Sequence, residues 1–327
     1  TYTIALIRIG MEGTGVRTFF SGHTSIGQVP IQTFGTDEQK ERYLRPSSRG
    51  EKILAFGLTE PEAGSNPLEM KMTYELAGDH YVLNGTKYLI SNAGIADAIV
   101  TFAYPRAGAG RISAFIVDAG GEGMTREDLV AKVGMPTSNT AMFELRDYPV
   151  PKENMLGQEG EGWAIALQTL MSGRLSVAAG CVGAMIDCLA EATRYARERW
   201  QHGKPIGRHQ LVQEHLASIR TNLDAAHALT IRAARAKAEY ERNPQDRRAR
   251  HRADRLIAEA KFFASNAACD AADRALQVFG GRGYSYLYRP ARHWQDLRVC
   301  RIYEGTDEIM KLKIASSILG KEYEAYR

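Results

Sequence analysis

The sequence predicts an α+β fold that is mainly α: an N-terminal helical domain, a middle antiparallel β-domain and a C-terminal four-helix bundle. Three observations carry this. From about residue 56 to 158, short β-prone runs alternate with turn residues and no helical pattern intervenes, as in an antiparallel sheet or barrel. From about residue 159, Leu167, Leu170, Met171, Ala178, Val182, Met185 and Leu189 follow helix spacing. Two further long helical stretches, 208–242 and 247–278, meet at Asn243-Pro244, a helix–helix turn. Four or so long helices with short connections form a bundle. The domains are therefore drawn at 1–55, 56–158 and 159–327.

The chain starts at Thr1 inside a helix-like pattern of Ile4, Leu6, Ile7 and Met11, so its natural N-terminus is expected to lie further back. A removed targeting segment stays open. Asp37 to Leu44 reads as a short amphipathic helix capped by Thr36. Asn84-Gly85, between His80-Tyr-Val-Leu83 and Lys87-Tyr-Leu-Ile-Ser91, predicts a hairpin turn. Strands follow at Ala98–Tyr104 and Ile112–Val117. The last helix has Thr306 as N-cap, Asp307 and Glu308 at its positive end, an apolar stripe of Ile309, Leu312, Ala315 and Leu319, and Gly320 as its stop.

Composition bounds the function. The 327 residues are 44% hydrophobic and 24% charged, ordinary for a globular protein of two or three domains. The formal charge of +4 is small, and the basic excess between Arg232 and Arg255 is interspersed with alanines and acids. Solvated helix faces explain it better than a nucleic-acid surface. Cys181, Cys188, Cys269 and Cys300 form no Cys-x-x-Cys pair, so zinc and redox motifs have no support and no metal is expected. Cys181 and Cys188 read as small core residues on one helix face, and a reducing compartment fits. No apolar run reads as a membrane span, and no secretory signal is present.

Several stretches carry open readings. Gly280-Gly-Arg-Gly283 follows a helical pattern instead of a strand, so it is a helix stop more than a dinucleotide fingerprint. Phe56 to Asn66, with two glycines, a proline and two hydroxyls, can present donors to a ligand or serve as a rigid connector. Glu304 precedes a helix already complete in caps and acids. It is either an idle surface acid or is aimed at something. Walker, His-Glu-x-x-His and Gly-x-Ser-x-Gly patterns are absent, and the eight histidines form no constellation.

Taken together, the motifs resemble the acyl-CoA dehydrogenase family along essentially the whole chain. They are Leu58-Thr-Glu-Pro-Glu-Ala-Gly-Ser65, Asn84-Gly-Thr-Lys87 with Ile90-Ser-Asn92, and Lys132-Val-Gly-Met135. Val150-Pro151 with Asn154 and Gly157, Glu198-Arg199, Gln277-Val-Phe-Gly-Gly281 and Ile302-Tyr-Glu-Gly-Thr306 follow in the family's order. Members usually have several dozen more residues at the start.

The resemblance implies FAD as cofactor and Glu304 as catalytic base, removing the α-proton of an acyl-CoA while the β-hydride passes to the flavin. The other base position of the family matches Gly173, which has no carboxylate. It further implies that Leu58, Thr59 and Ser91 contact the flavin, and that Thr306 and Glu308 touch the cofactor. Arg199, Gln277, Gly280 and Gly281 would hold the FAD of a neighbouring subunit. Ser65, Arg174 and Tyr303 match positions near the CoA arm and acyl pocket; in plain structural terms they would be a loop turn, a buried ion pair and a core aromatic. Arg17 matches the arginine with which glutaryl-CoA dehydrogenases hold a distal carboxylate. A helix-surface arginine is the alternative, and the preferred one.

The implied partners are an acyl-CoA, an electron-transferring flavoprotein and copies of the same chain, as a homotetramer built as a dimer of dimers. Leu89, Asn66 and Gln201-His202 depart from common family residues. Leu89 stands where an aromatic wall on the flavin is usual, which keeps an acyl-CoA oxidase in view. Glu304 argues against a monooxygenase and, with the flavin-contact residues, against a catalytically silent scaffold. Arg- and Ala-rich composition points to a bacterial cytoplasm before a mitochondrial matrix.

Overall fold

The computed structural model describes residues 1–108 and 110–323. The chain opens with α1 (Tyr2–Glu12), α2 (Thr14–Ser21), a π-type stretch, α3 (Val29–Phe34), α4 (Asp37–Gln39) and α5 (Arg45–Ser48). Strands follow as β1 (Leu54–Gly57), β2 (Thr73–Ala77), β3 (His80–Ser91), β4 (Ala98–Pro105), β5 (Ser113–Asp118), β6 (Met124–Asp128), β7 (Thr140–Pro151) and β8 (Met155–Leu156). Then come α6 (Gly162–Glu198), a small ribbon of β9 (Trp200–Gln201) and β10 (Lys204–Pro205), α7 (Gln210–Arg242), α8 (Arg247–Phe279), α9 (Arg289–Leu297) and α10 (Asp307–Leu319).

Contacts divide the chain into two compact units, a division different from the textures at 1–55, 56–158 and 159–327. One unit holds Thr1–Arg17, Val133–Met135 and the chain from Arg174; the other holds Thr18–Lys132 and Pro136–Gly173. The helical start is shared between them because Ile31 and Tyr43 bury themselves with Leu54, Phe56 and Phe102 in one core cluster.

In the sheet-bearing unit the strand order is β6-β7-β3-β2-β4-β5-β8, with β1 pairing β4. The sheet is mixed, correcting the antiparallel expectation: β1 and β2 each pair β4 in parallel. The expected Asn84-Gly85 turn is absent. Both residues lie inside β3, at a register shift against β7. The reversal is one step earlier, where Ala77 pairs His80 around Gly78-Asp79 and Gly78 takes φ 65°. Gly85 serves close approach instead, since a Cβ there would stand 2.7 Å from the Met72 Cα. The Thr36 cap is present as a capping box with Gln39.

The bundle-bearing unit is built on α7 and α8, joined at Asn243–Asp246, with the Asp246 carboxylate accepting the Arg248 and Ala249 N–H groups at 2.8 and 3.1 Å. The buried face of α8 is mainly alanine, which lets neighbours approach closely. The Tyr195 and Phe279 rings stack at 4.1 Å. Cys181 and Cys188 are buried, as read from their spacing. Helix α6 is long and apolar enough to cross a membrane, contrary to the expectation that no run would qualify; 72% of its most apolar window is buried, and the fold accounts for its composition.

Helix α1 meets α6 through glycines. A Cβ on Gly183 would lie 2.1 Å from the Ile7 carbonyl oxygen, and one on Gly10 2.6 Å from that of Gly180. Gly183→Ala therefore raises helix propensity yet is expected to destabilise by about 1–3 kcal/mol, through overpacking against backbone that cannot move aside. A thermal melt with an unchanged or higher midpoint would contradict this.

The last helix differs from its predicted stripe. Met310 and Asp307 are buried, whereas Leu319 is exposed. Asp307 tolerates burial because Arg301 Nε and Asn266 Nδ2 donate to its carboxylate at 2.8 and 3.0 Å.

Candidate active site

Glu304 stands between a 3₁₀ turn (Arg298–Arg301) and the Thr306 cap of α10. Its φ of 56° is left-handed, which costs an L-residue about 1–2 kcal/mol, and Gly305 follows at φ 91°. Such outliers persist where the surroundings hold them. Three cations do so here, each from a different helix. Arg17 on α2 donates to the Tyr303 hydroxyl. Arg174 on α6 donates through Nε to the Glu304 carbonyl at 3.0 Å. Lys261 on α8 donates to the Gly305 carbonyl at 2.7 Å.

One oxygen of the carboxylate is held out of water, on a residue half-buried overall. Glu304 Oε2 is buried and has no hydrogen-bond partner among the described residues. Burial pushes its pKa up from 4.5 to about 7, against the opposing pull of Arg174, Arg17 and Lys261. The idle-acid reading of Glu304 fails on this point, because an idle surface carboxylate is solvated. A carboxylate poised near neutrality is suited to take a proton from a weak carbon acid.

Arg17 is 1% exposed, which overturns the preferred helix-surface reading. It lies against Gly180, where an added Cβ would meet its Nε at 2.6 Å. Its Nε has no hydrogen-bond partner, and no Asp or Glu is ion-paired to it among the described residues. Cys300 Sγ lies 3.3 Å from the same Tyr303 hydroxyl. Arg174 is 5% exposed, 3.9 Å from Asp254, so it is a buried ion-paired residue that also grips the Glu304 backbone.

The remaining predicted residues fall in two places, one in each unit. In the sheet-bearing unit, Leu58 is buried and Thr59 and Ser91 are half-buried, while Ser65 is exposed. Lys87 anchors this segment: its Nζ donates to the Leu58 carbonyl at 3.2 Å and to Glu60 at 2.8 Å, and Glu60 in turn accepts the Met72 N–H at 3.0 Å. Burial lowers the Lys87 pKa to about 8, with Glu60 opposing. Leu89, half exposed at φ 59°, belongs to an irregularity of β3 that turns the Tyr88 N–H onto the Thr59 carbonyl at 2.9 Å.

In the bundle-bearing unit, Gly280 ends α8 at φ 60°, and a Cβ on Gly280 or Gly281 would meet nothing within 4 Å. Gln277 is exposed and Arg199 half-buried. Thr306 accepts the Ile309 N–H at 3.3 Å, and Glu308 is exposed. Sequence reasoning missed Lys261, and gave no role to Glu60 and Lys87 although both stand in the quoted motifs. A signal existed for the first: Ile257, Lys261, Ala264 and Ala268 share one buried face of α8, where a lysine is out of place.

A buried, raised-pKa carboxylate on a backbone held by cations marks an acid–base enzyme. The chain belongs to the acyl-CoA dehydrogenase family: it matches that family's N-terminal domain over residues 1–51, middle domain over 55–148 and C-terminal domain over 160–319. It is 37% identical to the short-chain specific acyl-CoA dehydrogenase of Clostridium acetobutylicum, over 97% of this chain and 82% of that protein. It is 36% identical to a subunit of the caffeyl-CoA reductase–Etf complex of Acetobacterium woodii, over 98% and 83%. Among solved structures, butyryl-CoA dehydrogenase from Megasphaera elsdenii is 37% identical with a TM-score of 0.91, over 98% and 82%. A glutaryl-CoA dehydrogenase from Mycobacterium smegmatis in complex with FADH2 is 29% identical with a TM-score of 0.90, over 100% and 80%.

Proposed function

We propose that the protein is an FAD-dependent acyl-CoA dehydrogenase in which Glu304 removes the α-proton of an acyl-CoA, giving a trans-2-enoyl-CoA, and that its electrons pass to an electron-transferring flavoprotein. The observation that carries the reading is the buried Glu304 Oε2 with its pKa near 7. The residues present suit the cofactor. Gly280 and Gly281 leave open space where a side chain would otherwise stand, as close approach of a pyrophosphate needs, and Arg199 adds a guanidinium. Leu58, Thr59 and Ser91 offer one buried apolar surface and two half-buried hydroxyls. Bound FAD supplies the acceptor for the β-hydride.

The chain's own work is to place and tune the base. Glu304 is deprotonated above about pH 7 and takes the α-proton onto its carboxylate. The Glu304 N–H is the family's donor to the thioester oxygen, where charge develops as the proton leaves. Arg174 holds the following carbonyl, so the peptide planes around the base are fixed before substrate arrives. Substrate filling the site excludes water and strengthens these interactions.

Arg17 narrows the substrate. A buried guanidinium without a carboxylate partner is costly, and a distal carboxylate on the acyl chain supplies that partner. Arg17→Gln is expected to lower kcat/KM for glutaryl-CoA by roughly a hundredfold while butyryl-CoA changes little. Equal kinetics across acyl-CoAs in both proteins would end the acidic-tail reading.

The whole proposal is tested by anaerobic absorbance titration of the purified flavoprotein with butyryl-, octanoyl-, isobutyryl- and glutaryl-CoA. Bleaching by one of them supports it. A colourless protein that FAD does not reconstitute would sink it, and rapid reoxidation in air would favour an oxidase.

A further inference from the structure

From the hold on Gly305 we infer that Lys261 is a positioning residue for Glu304: it acts through the Gly305 carbonyl to lock the left-handed turn that aims the carboxylate. This rests on Glu304 being the base. Lys261 is 0% exposed, in the middle of an alanine-rich face that an aliphatic side chain would fill at lower desolvation cost. What the ammonium adds is its 2.7 Å bond to Gly305, on the residue directly after the base. Glu304 and Gly305 both have positive φ, so two successive peptide planes turn their carbonyls inward, one to Arg174 and the next to Lys261. Arg17 completes the series at Tyr303. Side chains from three helices thus set three consecutive residues, and Lys261 is the one no sequence motif disclosed.

The same ammonium acts on the charge of the base. The groups facing Lys261 are Asp307, Cys300, Cys181 and Glu304. Those facing Glu304 are Arg174, Arg17 and Lys261, and Asp307 is itself matched by Arg301. Removing Lys261 takes a positive neighbour from Glu304, and on that account the carboxylate holds its proton to higher pH.

The test compares wild type, Lys261→Met, Lys261→Arg and Glu304→Gln as flavin-loaded proteins. The Glu304 carboxyl is followed by infrared difference titration against Glu304→Gln, which needs no turnover. Lys261→Met is expected to raise that titration by roughly half a unit or more. The acid limb of kcat/KM moves with it, and kcat falls about tenfold while KM holds, because positioning acts in the transition state. Lys261→Arg keeps the charge and restores the lower titration. A Lys261→Met protein that is merely less stable, with the Glu304 titration unmoved, would reduce Lys261 to a packing residue. If the Met variant does not fold, Lys261→Gln is read by the same titration with the same two outcomes. Failure of the base assignment shows separately, as undiminished turnover in Glu304→Gln.

Discussion

Glu304→Gln is expected to lower acyl-CoA oxidation by roughly 10²–10⁴-fold with substrate binding largely retained, since general-base catalysis contributes about that much. The amide keeps the size of the side chain and loses only the ability to take a proton. In wild type, kcat/KM should fall about tenfold per pH unit on the acid side of a limb near pH 7, where the Glu304 carboxylate becomes protonated. The same group makes a stability prediction of opposite sense. Its folded pKa, about 7, lies above the reference 4.5, so its contribution to stability is fully present below pH 4.5 and is lost as pH rises through 7. Glu304→Gln should therefore melt at a higher temperature than wild type at pH 8, with the gap closing towards pH 4. Full activity in the variant, or a melting gap that does not depend on pH, would each count against a desolvated carboxylate at this position.

Lys87→Met should cost about 3–5 kcal/mol of stability, the typical penalty for leaving one member of a buried ion pair uncompensated. Lys87 and Glu60 have side chains 0% and 2% exposed, so the charge left behind stays buried. Glu60 also accepts the Lys71 and Met72 N–H groups, so the disturbance spreads to the segment that presents Leu58 and Thr59. The double variant Lys87→Met/Glu60→Gln should recover much of the loss, because neither charge then remains buried alone. Urea unfolding of the single and double variants measures both numbers. A single variant within 1 kcal/mol of wild type would show that the pair is solvated in solution.

The layout of helices was legible because Asn243-Pro244, Asp246 and Gly280 punctuate long periodic runs with local chemistry. The sheet was less so. Asn84-Gly85 carries a strong turn signal, yet Gly85 was needed for the approach of Met72, a contact no local window contains. β1 was invisible as a strand because its partner β4 lies far along the chain. At the site, Glu304 was singled out through its motif, while the burial of its Oε2 came only with the fold. Arg17 was misjudged as a surface residue because the Gly180 gap that admits it belongs to another helix. Lys261 and Lys87 look like ordinary solvated lysines until their partners, Gly305 and Glu60, are brought beside them.

The parallel pairing of β1 with β4 also has a kinetic meaning. Ile53 and Asp97, joined at the mouth of that pair, are 44 residues apart in sequence. A hairpin such as β2–β3 closes a short loop in microseconds, but this contact must wait for a long loop to close before it gains anything. During synthesis, β1 emerges with its hydrogen-bonding edges unpaired and stays so until β4 has left the ribosome. Together with the still longer-range pairing of β3 with β7, this contact makes completion of the sheet the expected slow step of folding, and leaves the edges of β1 in need of protection until then.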